Sequence, residues 1–327
     1  MLLKVDNLFF DRSGVNVLKD ISLEVPSAKI TCVLGANGSG KSTLLGLLAG
    51  MLEPSSGTIY LEEKPVLGPE HTLVKGHRQI ALVRQDARLT PFATVRENLK
   101  HVLRMHDEGY QEEKINELCE VLGLQNYLER TVKFLSGGEQ QRVAIASALA
   151  SNPLLLLMDE PFSQTDLFLK QELKHYLFDV VNKLGTSLLF VTHDPNEALS
   201  MADHILILHE SRIIEQGNGR SLYSLPHQKA TARLTGYCNF VSLNFDFFKG
   251  AHIIDNEYLI RSEQLFFTKE KVENSIEAVV QKTEFSGFYL GLHLYIPSLG
   301  ITLFGTLPSN QEKYGNDEKG WLSFLKN

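Results

Sequence analysis

Cysteine is scarce and scattered: Cys32, Cys119 and Cys238 in 327 residues show no metal-ligand spacing, which suits reduced thiols in a cytoplasmic protein. Cys32, inside an apolar run, reads as a small buried hydrophobe. No segment approaches the ~18 apolar residues that a helix needs to cross a bilayer. No basic tract occurs, and the formal net charge is -7, which argues against a dedicated nucleic-acid partner. The N-terminus, MLLKVDNLFFD, alternates like an edge strand and lacks the longer apolar core of a secretory signal. What remains is a soluble globular chain too long for one ordinary core, so two domains are expected.

Against that background the stretch LGANGSGKST stands out, because Gly35 to Ser42 satisfies the phosphate-binding pattern G-x-x-x-x-G-K-[ST]. KITCVLG before it is short, β-branched and apolar, a buried strand, while KSTLLGLLAGML after it has helical spacing. The loop therefore lies at a helix N-terminus, where unpaired N–H groups and the positive end of the macrodipole favour an anion. Gly35, Gly38 and Gly40 permit close backbone approach, and Asn37, Ser39, Lys41, Ser42 and Thr43 complete the nucleotide-binding set. Lys41 can reach β- and γ-phosphates, and Ser42 can ligate Mg2+ beside ATP. An ordinary glycine-rich turn would not require strand, spacing and helix together.

LLLLMDE, Leu154 to Glu160, reads as a central parallel strand with two acids at its C-terminal end, where α/β sheets place ligands. Asp159 is the second metal-site candidate. Glu160 is either the base for the water that attacks the γ-phosphate or a solvated acid at a strand end.

LSGGEQQR, Leu135 to Arg142, lies between these two motifs, and with it the chain resembles the ATP-binding cassette ATPases. The resemblance covers about two thirds of the chain. It implies an α/β P-loop cassette with a helical subdomain, and it implies that Ser136, Gly137, Gly138 and Gln140 bind the nucleotide of a partner subunit. A head-to-tail homodimer enclosing two ATP molecules follows from that implication. Gln85, after IALVR, resembles the family's magnesium-contacting glutamine, and His193, after SLLFVT, resembles its switch histidine. The catalytic set so implied is Lys41, Gln85, Glu160 and His193, with Ser42, Gln85 and Asp159 at the metal. Asp166 fits the family's D-loop aspartate, although the loop reads SQTD rather than Ser-Ala-Leu-Asp. Where the family carries an adenine-stacking aromatic this chain has Arg12, whose guanidinium plane can stack on a base. Phe10 turning toward the base, or Arg12 as a solvated loop charge, are the other readings.

The expected domain boundaries are 1–235 for the cassette, with its helical subdomain at about 86–150, and 236–327 for a smaller unit. That second unit shows short β-like runs, FVSLNF, AHIID, EYLIRSE, SIEAVV, FYLGLHLYI and GITLFGTL, which favour a small β-barrel or sandwich. It resembles the oligonucleotide-fold-like (OB-like) β-rich domain of importer ATPases of the maltose, polyamine, ferric-iron and oxyanion type. EYLIRSEQL keeps Arg261 and Glu263 of that group's Val-Arg-Pro-Glu run but has Ser262 in place of proline. The resemblance implies an ATP-hydrolysing subunit on the cytoplasmic face of the membrane, working with an integral-membrane permease and an external solute-binding protein. Permease coupling is expected near Gln85 to Phe92 and the following helices. An export ATPase or a soluble cassette ATPase are the alternatives. Soluble types usually carry two cassettes or a long coiled-coil insertion, and the sequence shows neither.

Overall fold

A computed structural model describes residues 1–84, 89–163, 167–309 and 314–325. The chain divides into two compact units, Met1–Arg220 and Ser221–Asn327, so helical residues upstream of 236 belong with the second unit. The first unit runs β1 (Leu3–Arg12), β2 (Val15–Val25), β3 (Ile30–Leu34), α1 (Lys41–Leu48), β4 (Ser56–Leu61), β5 (Lys64–Pro65) and β6 (Ile80–Val83). Three helices follow, α2 (Val95–Leu103), α3 (Glu108–Leu122) and α4 (Gly137–Leu149). It closes with β7 (Leu155–Asp159), α5 (Leu167–Leu184), β8 (Ser187–Thr192), α6 (Pro195–Met201), β9 (His204–His209) and β10 (Arg212–Gly217).

Two sheets build this unit. The larger has the order β10-β9-β3-β8-β7-β6, with β9, β3, β8, β7 and β6 parallel. Every residue of β3 and β8 is buried, as are Leu155 to Met158 of β7, because both faces of the sheet are covered. The smaller sheet, β2-β1-β4-β5, is antiparallel, and its Leu3, Val5, Leu8, Ile21 and Leu23 join Leu44, Leu45 and Leu48 of α1 in one core. The edge-strand expectation for the N-terminus is thereby corrected: β1 lies between β2 and β4. One-sided burial gives the same alternation in an internal strand as at an edge, so alternation alone cannot separate the two.

α2, α3 and α4 pack on one another as a helical group. α2 and α4 each begin with a capping box, Thr94 with Glu97 and Ser136 with Glu139. No described helix is long and apolar enough to cross a membrane.

The second unit contains most of α7 (Gly219–Ser224), then α8 (Lys229–Thr235), β11 (Cys238–Ser242), β12 (His252–Ile254), β13 (Glu257–Arg261), β14 (Leu265–Thr268), β15 (Ser275–Phe285), β16 (Tyr289–Ile296), β17 (Ile301–Pro308) and β18 (Lys319–Phe324). The strands form a three-stranded sheet, β11-β13-β12, and a five-stranded one, β14-β18-β15-β16-β17. The outer strands of the latter, β14 and β17, pack beside each other, so the sheet curls toward a half-barrel. Gly305 permits that approach: a Cβ there would lie 3.2 Å from the Leu265 Cβ. β14 and β18 are additions to the strands expected from sequence.

Arg261 organises this unit's helical start. It is 3 % exposed, lies 4.1 Å over the Tyr223 ring, and donates to the Tyr223 carbonyl at 3.1 and 2.5 Å, the Ala232 carbonyl at 2.7 Å and Thr235 Oγ1 at 3.0 Å. One guanidinium thus satisfies carbonyls at the ends of α7 and α8. Ser262 earns its place where the related group has proline, since its N–H donates to the Tyr237 carbonyl at 3.3 Å.

Candidate functional site

Sheet order sets the site. β3, β8 and β7 are neighbours, with Leu34 opposite Thr192 and Asp159 opposite Val191. The loops that follow their C-terminal ends therefore emerge side by side, carrying Gly35 to Lys41, His193 and Glu160.

Gly40 is the N-cap of α1 at φ 103°, with no side-chain cap on the helix and no acid in its first turn. An added Cβ would meet Leu18 Cδ2 at 2.8 Å and the Val17 carbonyl oxygen at 3.0 Å, on top of the backbone strain. Lys41 is buried, and its Nζ donates to the Gly35 and Ala36 carbonyls at 2.9 and 3.0 Å. Burial lowers its pKa, and the charges of Glu160 and Asp159 oppose that shift. Two of the ammonium's three donors therefore hold the loop in shape, which leaves charge and one donor for an anion. Ser39 Oγ is buried and has no hydrogen-bond partner among the described residues. Asn37 and Gly38 are exposed, and Thr43 is half-buried in the first turn of α1.

Ser42 Oγ donates to Asp159 Oδ1 at 3.1 Å, bringing together two of the three residues expected at the metal. Among the described residues no group of three or more His, Cys, Asp or Glu could hold a metal by itself. One hydroxyl and one carboxylate fit Mg2+, which takes few protein ligands and completes its shell with water and phosphate oxygens.

Glu160 has φ 46°, a left-handed conformation uncommon for a side chain of its size. It is held there from three directions: its N–H donates to the Val191 carbonyl at 3.1 Å, and the Ser163 N–H and Oγ bond its carbonyl at 3.2 and 3.0 Å. Its Oε1 lies 3.2 Å from His193 Nδ1 and 3.7 Å from Lys41 Nζ. Three of the residues expected to act on phosphate thus meet on one carboxylate. Gln85 and Asp166 lie outside the described residues.

The signature residues open α4. Ser136 Oγ accepts from the Glu139 N–H at 3.3 Å, and Glu139 Oε2 accepts from the Ser136 N–H at 2.7 Å. A Cβ on Gly137 would meet nothing within 4 Å, so that corner of the helix is open. Gln140, expected at nucleotide, donates its amide to the Val132 and Leu135 carbonyls at 3.2 and 3.1 Å and braces the turn before Ser136. Gln141 ties α4 to the loop after β7 by donating to the Pro161 carbonyl. Among the described residues no hydrogen bond joins Ser136, Gly137 or Gly138 to the loop Gly35–Ser42.

Arg12 ends β1, is exposed, and pairs with Val15 across a turn in which Ser13 and Gly14 have φ 51° and 80°. Val17 and Leu18, further along β2, lie against Gly40, which brings this hairpin to the phosphate loop. Phe10 is half-buried against the core, whereas Arg12 is exposed.

Sequence reasoning missed Glu197, which is 5 % exposed in α6. Its spacing after Asp194 matches a D-x-x-E helix start, a pattern that assigns glutamate to a surface capping box. Here Glu197 Oε2 instead accepts from Thr192 Oγ1 at 2.5 Å, and Oε1 accepts from Lys170 Nζ at 3.0 Å.

Comparison with known proteins agrees with the geometry. The profile of the family described as ABC transporter matches residues 18–163. Over 315 residues the chain is 31% identical to the sulfate/thiosulfate import ATP-binding protein CysA of Mesostigma viride, a match spanning 93% of this chain and 89% of that one. Among solved structures, cbiO1 from Clostridium perfringens, part of the ABC transporter complex cbiONQ, is 31% identical with TM-score 0.63, covering 66% of this chain and 88% of that chain. MJ1267, an ATP-binding cassette of an ABC transporter in its ADP conformation, is 25% identical with TM-score 0.62, covering 71% and 97%.

Proposed function

The chain belongs to the ATP-binding proteins of ABC transporters, and we propose that it is the ATP-hydrolysing subunit of an importer. The observation that carries the catalytic part is the convergence of Lys41, the Ser42–Asp159 pair, Glu160 and His193 at the ends of three adjacent strands. Phosphates of ATP occupy the N-terminus of α1, beside the Lys41 charge and the Ser39 hydroxyl. Ser42 and Asp159 would hold Mg2+, which would neutralise charge at the phosphate oxygens. Glu160, its backbone locked, accepts the proton of the attacking water, and His193 beside it stabilises charge that develops on the γ-phosphate. Gln85 completes the magnesium-side set. Arg12 stacks on adenine from its exposed hairpin.

α4 serves the nucleotide of a second copy through Ser136, Gly137 and Gly138, in a head-to-tail homodimer; the open Gly137 corner supports this. A separate integral-membrane permease docks on the helical group, where Phe92, Met105 and Phe134 are 77%, 87% and 78% exposed. The subunit then works on the cytoplasmic face of the membrane, with an external solute-binding protein across it. Residues 236–327 form an accessory or regulatory unit. The sulfate/thiosulfate import in the name of the Mesostigma viride relative supports an oxyanion as cargo.

The test is Glu160→Gln. It retains ATP binding and loses turnover by roughly 10² to 10⁴, the contribution of a positioned general base. Captured with ATP from native membranes, it brings down a multi-span permease and a solute-binding protein whose ligand is the cargo. A permease alone brings export forward, and only soluble partners refute the transport reading.

A further inference from the structure

Glu197 is a buried acid that the reaction above leaves without a task. It lies near two of the site's strands: its charge helps burial push the Cys32 thiol far up, in the strand that leads to the phosphate loop. Its own bonds run to Thr192, the last residue of β8, and to Lys170, in the first turn of α5. Thr192 is 1% exposed, and its Oγ1 also accepts from the Asp194 N–H at 3.0 Å.

The donors in this cluster have one consistent arrangement. The Asp194 amide can only donate, so the threonine hydroxyl must spend its single proton on Glu197. The Glu197 carboxylate then accepts from the hydroxyl on one oxygen and from the Lys170 ammonium on the other. In α2 and α4 the acid of the first turn bonds the N-cap amide directly, Glu97 to Thr94 and Glu139 to Ser136, each at 2.7 Å. In α6 the same position carries Glu197, but the Thr192 hydroxyl is interposed between acid and amide. The effect is to clamp residues 192 and 194 from the inside. His193 lies between them, with Nδ1 at 3.2 Å from Glu160, whose amide is itself held by the carbonyl of Val191. A buried ion pair is weak evidence for stability, since its desolvation cost offsets much of its attraction. A device that fixes the backbone on both sides of one histidine has a different use.

We infer that Glu197 is a positioning residue for His193, acting through the Thr192 hydroxyl, and that Lys170 ties this brace to α5. The inference rests on the catalytic reading of His193 and Glu160 given above. Removing the carboxylate frees the hydroxyl to rotate, releases the Asp194 amide and leaves Lys170 without its partner acid, so the imidazole loses its set reach toward Glu160. Binding of ATP, carried by α1, is left in place.

A double-mutant cycle on steady-state ATP hydrolysis tests this. Glu197→Ala lowers kcat about tenfold with the KM for ATP little changed, while in a His193→Ala background it adds less than about twofold, because positioning a side chain that is absent has no effect. Full multiplication of the two losses overturns the inference and leaves the catalytic reading intact. Undiminished kcat in His193→Ala overturns the catalytic reading and the inference with it. Thermal unfolding is followed in parallel. If Glu197→Ala does not fold, Thr192→Val carries the test: it reproduces the kcat loss, and Thr192→Ser, which keeps the hydroxyl, recovers most of it. Wild-type kcat in folded Thr192→Val also overturns the inference.

Discussion

α1 and α4 both start from glycine-containing turns, yet their first turns are completed in opposite ways. α1 is capped by Gly40 alone, with no side chain on its free N–H groups and no acid among its first residues. α4 is closed by its own Ser136 and Glu139, which satisfy donors and place a carboxylate at the positive end of the helix. Donors left open at a helix start can be satisfied by water or by an anion, and α1 is the start to which the proposed function assigns the phosphates. α4 is complete without one. Its corner at Gly137 is open, and the homodimer proposed above would bring a second nucleotide to it from outside.

The largest test of this contrast is Gly40→Ala. Strain at φ 103° and the collision with Leu18 and Val17 close the anion site, and ATP affinity measured by equilibrium titration falls about 100-fold, close to 3 kcal/mol. Affinity within a few-fold of wild type would show that the open turn of α1 is not the phosphate site. Ser136→Ala acts on the other helix: it removes about 1 kcal/mol of cap energy, seen as a lower unfolding temperature, while ATP binding to the isolated subunit is unchanged. An equal loss of ATP binding would make the two helix starts equivalent and break the comparison. Smallest is Arg12→Ala, which weakens a fluorescent ATP analogue severalfold, about 1 kcal/mol, through lost stacking. Unchanged affinity would return Arg12 to the role of a solvated turn residue.

The loop Gly35–Ser42 and the acids Asp159 and Glu160 were legible because each motif is contiguous and sits where an apolar run stops. Their meeting was not legible. Lys41, Glu160 and His193 are far apart in sequence and share one carboxylate oxygen because the order β3-β8-β7 places their loops side by side. Nor was it legible that Gln140, grouped with the nucleotide set, also donates its amide to the Val132 and Leu135 carbonyls. Glu197, which no motif singled out, shows the reverse: an acid in the first turn of a helix whose side chain turns inward. In the second unit Arg261 and Glu263 were visible as a motif. That the arginine holds the ends of α7 and α8 together, and that Ser262 adds an N–H bond to Tyr237, needed the fold.

By itself the sequence determined the phosphate-loop chemistry, the parallel α/β architecture of the first unit and the β-rich character of the second, because local spacing and burial pattern encode strands, helix starts and loop geometry. Tertiary structure alone decided that β1 is internal, that β14 and β17 come together, and that Glu197 reaches Thr192. Strand neighbours and inward-turned polar groups depend on contacts between distant segments, and no periodicity within a segment records which segment it will meet.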